Sequence, residues 1–203
     1  MKKFKFFIDF DKEEKWLEEM AQQGYQLESH SIGYKFRQAQ LEDAVIRIDY
    51  RKFKKQEDFI DYCTLFEDSG WKHIAGTKNS GTQYFKKLDK DSEEDIFSDK
   101  QSKAAKFKRL SEMFVQIAIC YLPLFVALIS TDVINSAAFF NPKLLYLTQG
   151  LWEMSGGDFW KAFIFETPFA LFRLVLWLFI PIMMALYLIF ASKAQRLFEK
   201  NSK

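Results

Sequence analysis

Two long, nearly uncharged runs set the outer limits on what this chain can be. Met113–Ser130 reads MFVQIAICYLPLFVALIS, and Phe169–Phe190 reads FALFRLVLWLFIPIMMALYLIF with Arg173 as its single charge. A bilayer core needs about 20 apolar residues of helix, so the first run is at the short end and the second can span with tilt. Glu112 and Asp132 bound the first run. Arg173 lies near the start of the second, where a long side chain can reach the headgroups. The competing reading is a buried hairpin in a soluble core, where two runs with so little charge are rare. The formal net charge of +2 hides a partition. Charged residues crowd into the text up to Arg109, and Leu, Ile, Phe, Ala and Met dominate after it.

The flanks orient the hairpin. Lys103, Lys106, Lys108 and Arg109 precede the first run, and Lys193, Arg196, Lys200 and Lys203 follow the second. The connecting loop holds Lys143 and Lys161. Positive residues stay inside, so the expectation is a multi-pass membrane protein with both termini cytosolic. Lys103, Lys106, Lys108, Arg109, Lys193 and Arg196 are then a basic collar facing anionic lipid. The start, Met1-Lys2-Lys3-Phe4-Lys5, leads to Asp9, Asp11, Glu13 and Glu14 instead of an apolar stretch, so no cleavable signal is expected. Cys63 and Cys120 are expected as free thiols. Pro123 and Pro181 each remove a helical hydrogen bond from a span. The outer loop, Thr131 to Thr167, is unusually aromatic. Asn141-Pro142 reads as a helix start, Gly156-Gly157 as a break, and Asp158 as the cap of a short piece. Trp152, Phe159, Trp160 and Phe163 are its candidates for lying in the interface or docking a partner's membrane helices.

Residues 1–88 read as an α+β cytosolic domain. Phe4, Phe6, Ile8 and Phe10 alternate as in a strand. Asp11–Gln23 reads as a helix with Trp16, Leu17 and Met20 on one face, stopped by Gly24. Tyr25–Ser31 and Gly33–Arg37 read as a hairpin, Val45–Arg51 as a strand, and Glu57–Ser69 as a helix stopped by Gly70. Trp71–Ala75 and Thr82–Lys86 read as a last hairpin. The order β-α-β-β occurs twice, and each helix ends in Gly plus an aromatic, Gly24-Tyr25 and Gly70-Trp71. An internal duplication is expected, with one antiparallel sheet carrying two helices on one face. The layout is similar to the duplicated modules of effector-binding domains in bacterial regulators. Residues 89–98 form an acidic linker whose Asp89, Asp91, Glu93 and Asp95 alternate as in a calcium loop, without its glycine or terminal Glu. Ser98 and Gln101 suggest a capping box. Residues 99–203 hold the juxtamembrane helix, spans near 113–130 and 169–190, the apolar loop and a basic tail.

Several stretches resemble a bacterial family of unknown function, the DUF2812 proteins. They are Lys15-Trp16-Leu17-Glu18-Glu19-Met20-Ala21 with Gly24-Tyr25-Gln26-Leu27, Arg47-Ile48-Asp49-Tyr50-Arg51, and Phe66-Glu67-Asp68-Ser69-Gly70-Trp71. Gln83-Tyr84-Phe85 and Ile96-Phe97-Ser98-Asp99 with Ser102-Lys103 complete the set. The resemblance implies a cytosolic domain ahead of membrane helices, and neighbourhood to PadR-type transcriptional regulators. It implies no catalytic residues.

No catalytic constellation is legible. His30 and His73 lack ligand spacing, and no phosphate-cradling or nucleophile-elbow motif occurs. The carboxylates of Asp11–Glu19 alternate with Lys as on a solvated helix face. Arg47, Asp49 and Arg51 share one face of a strand. If the helices cover the opposite face, these three form an open surface for an anionic or peptide ligand. Tyr34, Phe36, Trp71, Tyr84 and Phe85 would be core or an aromatic wall. The basic run Lys52, Lys54, Lys55 is answered by Glu57, Asp58 and Asp61, which argues against nucleic acid. The expectation is a non-enzymatic, membrane-anchored binding or regulatory protein without a cofactor. Its partners would be membrane lipids and a protein, either a soluble regulator such as a PadR-type factor or a transporter, with homo-oligomers open. The alternatives are an accessory subunit of a transporter or antimicrobial-resistance complex, and an inner-leaflet enzyme acting on lipid or a small anion.

Overall fold

The computed structural model describes residues 1–89 and 95–202, so Asp91 and Glu93 of the supposed calcium loop, and Lys203, lie outside the described residues. The chain divides into two compact units, one of Met1–Glu112 with Phe190–Lys203, the other of Met113–Ile189. The first unit therefore runs past the expected limit at residue 88.

In the first unit, β1 (Lys2–Lys3) precedes α1 (Phe10–Gln22), β2 (Tyr25–Ser31) and β3 (Gly33–Gln38). β4 (Ile46–Tyr50), α2 (Gln56–Asp68), β5 (Trp71–Ala75) and β6 (Thr82–Lys87) repeat that order. The sequence distance from Phe10 to Gln56 equals that from Gly24 to Gly70 and from Tyr25 to Trp71. Each glycine ends its helix at φ +81°, a conformation that a side chain disfavours. Both hairpins also carry a bulge at the same place, between Leu27 and Ser29 and between His73 and Ala75. Helix, stop signal, register and irregularity all recur, so the β-α-β-β module is present twice.

The expected single sheet is corrected to two antiparallel three-stranded sheets, ordered β1-β3-β2 and β4-β6-β5. β2 and β5 lie beside each other but do not join by a hydrogen-bonded ladder. A bulge in each twists the strand and breaks the regular spacing of its free backbone groups. The first strand is corrected as well. Phe10 belongs to α1, Asp9 caps that helix by accepting from the Asp11 N–H, and Phe4 and Phe6 are exposed. The alternation of Phe4 to Phe10 imitates a strand but fills only Ile8 and Phe10 into the core.

α1 buries Phe10, Glu13, Glu14, Leu17, Met20 and Ala21, a stripe at helical spacing that contains two carboxylates. It packs on β2 and β4, and so touches both sheets. α2 packs on β5 through a smaller core in which Tyr62 and Phe66 meet Phe85 and Trp71.

α3 (Lys100–Ser130) and α4 (Gly156–Asn201) are long and apolar enough to cross a membrane. A soluble core helix would be mostly covered, whereas only 11% and 17% of their most apolar windows is buried. The cap of α3 is Asp99, not Ser98: its carboxylate accepts from the Ser102 N–H at 2.7 Å and the Ser102 hydroxyl at 2.8 Å. Within the first unit, Ala104, Lys106, Phe107, Leu110 and Ser111 of α3 are buried. The Ser111 hydroxyl donates to the Ala191 carbonyl at 2.9 Å, and Ala194 is buried, so the end of α4 packs on the start of α3.

In the second unit, short 3-10 turns occupy Ser136–Phe139, Pro142–Leu145 and Leu151–Glu153. Asn141 caps the second of them through the Lys143 N–H, as its Asn-Pro signal predicts. Asp158 does not begin a separate piece. α4 starts at Gly156 and continues through Pro168 and Pro181, so Phe159–Phe165 form its opening turns.

Candidate functional site

The centre of the first unit is a buried ionic clasp between α1, β4 and α3. β4 pairs with β6 along one edge, and α1 covers the other. Glu18 Oε1 accepts the Ile46 N–H at 3.0 Å, and Glu14 Oε1 accepts the Ile48 N–H at 2.9 Å. Two carboxylates one helical turn apart thus stand where a neighbouring strand would be. The same Glu14 oxygen receives the Lys106 ammonium at 3.0 Å, and Asp11 lies 3.6 Å from that nitrogen. Lys106 is 0% exposed and sits near the rings of Phe10, Phe97 and Phe107. Burial raises the Glu14 pKa, and the Lys106 charge opposes that shift. One turn on, the Arg109 guanidinium pairs with Asp49, whose other oxygen accepts the Tyr62 hydroxyl at 2.8 Å. Lys103 pairs with Asp95. Three cations on one side of α3 are therefore held by carboxylates of the domain.

A second buried centre links the two repeats. Glu13 Oε1 accepts the Tyr34 hydroxyl at 2.7 Å and the Tyr84 hydroxyl at 2.6 Å. Tyr34 belongs to the first sheet and Tyr84 to the second. Tyr84 also lies 2.8 Å from His30 Nδ1. With the Tyr84 proton directed at Glu13, that nitrogen donates to the phenol oxygen. Burial pushes the Glu13 carboxyl up to about 7, against the lowering effect of the tyrosine hydrogen bonds and Lys106, and with Glu14 adding to the rise. Burial lowers the His30 pKa. The centre can hold or release a proton, and at 3% exposure Glu13 is sealed from solvent.

These placements change the meaning of the expected site residues. Arg47, Asp49 and Arg51 do not form an open face. Arg47 pairs with Glu18 at 3.0 Å, and Asp49 is buried between Arg109 and Tyr62. Only Arg51 faces outward, over the rings of Phe53 and Tyr62, in a basin that also holds Lys52, Lys54, Asp58 and Asp61. α2 covers the side expected to be open: its Tyr62 bonds Asp49, lies under Arg51 and packs on Phe85 opposite Arg47, while Glu18 of α1 and Arg109 of α3 reach in to pair with Arg47 and Asp49. The collar divides in the same way. Lys108, Lys193 and Arg196 are exposed, whereas Lys106 is sealed in the domain and cannot meet lipid. Tyr34, Phe36, Trp71, Tyr84 and Phe85 are core.

Glu13 and Glu14 were hidden by their neighbours in the text, which suggest a solvated face. Their spacing with Phe10 and Leu17 was the available signal. For Lys103, Lys106 and Arg109 it was their recurrence every third residue beside Ala104, Phe107 and Leu110. A small groove of about 250 Å³ also opens where β2 and β5 adjoin, with Arg37, Lys72, His73 and Glu28 on its walls.

In the second unit, Phe159 and Phe163 stack at 5.5 Å, and Trp152 and Trp160 meet Phe163 edge-on. Tyr146 stacks on Phe163 at 5.4 Å. Glu166 accepts the Leu147 and Thr148 N–H groups and the Thr148 hydroxyl, which ties the loop to α4. The expected aromatic group is thus one cluster, with Trp152 and Trp160 exposed at its surface.

No curated protein and no solved structure matches the chain. A family model, described as a protein of unknown function, matches residues 9–119. That stretch begins at the cap of α1 and ends inside α3, so it contains every member of the clasp. It covers more than half of the chain, which belongs to the DUF2812 family.

Proposed function

We propose that this is a non-enzymatic, membrane-anchored regulatory protein of the bacterial plasma membrane. Its α+β domain recognises a cytosolic protein or ligand and transmits that state to α3. The carrying observation is the Glu14 oxygen that joins α1, the β4 backbone and Lys106 of α3. A change in the spacing of α1 and β4 must move α3 or break a buried ion pair. α3 continues without interruption into the apolar run, so the movement reaches the membrane. In this reading α3 and α4 cross the bilayer and both termini are cytosolic, as the exposed Lys108, Lys193 and Arg196 favour.

The test is affinity purification of the full chain from native membranes, beside a chain holding only residues 99–203. Capture of a soluble regulator by the full chain alone supports the proposal. A full chain that emerges without any partner or bound ligand would overturn it. A second reading, an accessory subunit of a membrane transporter, is favoured by the aromatic cluster with Trp152 and Trp160 exposed. Capture of the same membrane protein by both chains would select it.

A further inference from the structure

We infer that the N-terminal segment and the tip of the β2–β3 turn form a second membrane contact, seated in the headgroup region of an anionic leaflet. This rests on the reading that α3 and α4 cross the bilayer. Phe4 is 71% exposed, Phe6 66% and Ile32 79%. The fold sets Phe4 against the turn that carries Ile32, and Phe6 lies two residues further along the same segment. The Phe4 ring lies so close over Gly33 that a Cβ there would stand 2.9 Å from it, and Gly33 has φ +90°. Ile32 is the neighbouring residue at the turn. Lys3 pairs with Tyr34 in the β1–β3 ladder, which holds the segment against the sheet. Phe4 and Ile32 are thus exposed at the turn, and Phe6 continues the exposed apolar stretch along the chain.

Two observations choose a lipid surface as its occupant. The first is continuity. The Phe6 ring meets Phe190 with centroids 5.3 Å apart, and Phe190 is the last residue of the apolar run of α4. The patch therefore begins where that helix would leave the hydrocarbon. The second is charge. Met1–Ile8 contains Lys2, Lys3 and Lys5 and no acid. Lys2 lies over the Phe4 ring, Lys5 lies over the Phe7 ring, and Lys193 and Arg196 are exposed just beyond Phe190. Aromatic rings with interleaved lysines suit the boundary between acyl chains and anionic headgroups. The alternating Phe and Lys residues near the start are explained by this surface, and not by a strand.

The test uses the full chain with Cys63→Ser and Cys120→Ser, carrying one nitroxide at Ile32→Cys, Leu41→Cys or Val126→Cys. Each is reconstituted in vesicles of phosphatidylglycerol and phosphatidylcholine, and access of oxygen and of a water-soluble nickel chelate is read by power saturation. Leu41 is 76% exposed on a different loop and Val126 lies in the first apolar run. The expected result is an Ile32 label shielded several-fold from nickel relative to Leu41, with weaker shielding in pure phosphatidylcholine. An Ile32 label as open as Leu41, with Val126 shielded, overturns the surface and leaves the membrane reading standing. An open Val126 label removes both. Equal shielding of Ile32 in lipid-free amphipol assigns the patch to a second copy of the chain and overturns the lipid contact. Shielding that ignores lipid charge overturns the anionic assignment.

Discussion

Lys106 and Glu13 carry the most consequence of any single residues, and both are ionisable groups inside a small core. Lys106→Met leaves Glu14 buried with its near cation gone and only the Arg47 guanidinium at 4.0 Å, which should cost about 3 kcal/mol. Adding Glu14→Gln should recover much of that loss, because the amide oxygen still accepts the Ile48 N–H while no charge is left unpaired. Denaturant unfolding of the detergent-solubilised protein, read as a double-mutant cycle, checks both values. Glu13 acts through pH. Its folded pKa of about 7 lies above the ordinary carboxylate value of 4.5. The native state therefore binds more protons than the unfolded chain between those values, and stability falls as pH rises through that window. The loss is at most roughly 3 kcal/mol from this group. Glu14 has the same sign, whereas His30, lowered by burial, favours the folded state as pH rises through its own window. Stability measured from pH 4.5 to 8 should thus decline less steeply for Glu13→Gln than for wild type. Equal slopes would show that Glu13 is not the group concerned. Glu13 did not stand out in the text, because a carboxylate next to lysines looks the same whether its helix face is wet or buried, and Lys106 stood out only as a cation for lipid.

Elements with a clear period were legible, and those whose pattern served another purpose were not. Both helices of the repeat, their glycine stops and the two hairpins follow from spacing that only a buried face explains. The first strand was not legible, because Phe4 and Phe6 alternate without being buried. The division into two sheets was hidden too, since a bulge is a backbone event that leaves Leu27-Glu28-Ser29 and His73-Ile74-Ala75 looking like ordinary strand text. The start of α3 was recognised as a helix but misjudged in its surroundings, because positive-inside counting gives each cation the same weight whatever it touches. The repeat makes a comparative prediction. Gly24→Ala and Gly70→Ala both force a side chain to φ +81°, at about 1–2 kcal/mol each. At Gly24 the new Cβ would also stand 3.1 Å from the Ala39 carbonyl oxygen. Thermal unfolding of the two variants side by side checks that each loses stability by this amount. In hydrogen exchange, amides of α3 from Ala104 to Ser111 should be as slow as those of β6, since buried side chains hold both.

At the scale of the whole molecule, topology decides whether the clasp can be a transmitter. α3 leaves the domain at Glu112 and α4 re-enters it at Phe190, so both helices return to the same folded unit. If both cross the bilayer, the residues between them face the opposite side from the domain. The argument is electrostatic: Lys108, Lys193, Arg196 and Lys200 are exposed on the domain side, against Lys143 and Lys161 on the loop. It is also geometric, since a helix that starts in a folded domain on one side and crosses through an apolar stretch of span length emerges on the far face. Single cysteines at Ser155 and Lys200, in a chain with Cys63→Ser and Cys120→Ser, separate the possibilities. A membrane-impermeant maleimide added to cells whose outer barrier is permeabilised should label Ser155→Cys at once, and Lys200→Cys only after lysis. Labelling of both before lysis would place one helix outside the bilayer core and separate the domain from the side that a cytosolic regulator can reach. Labelling of neither would place the loop inside. Adding Lys106→Met should leave the labelled side unchanged while loosening α3 from the domain, so protease should then reach the segment around Lys103 faster. The same labelling with faster cleavage is what a clasp that holds α3 to the domain without setting its direction through the membrane requires.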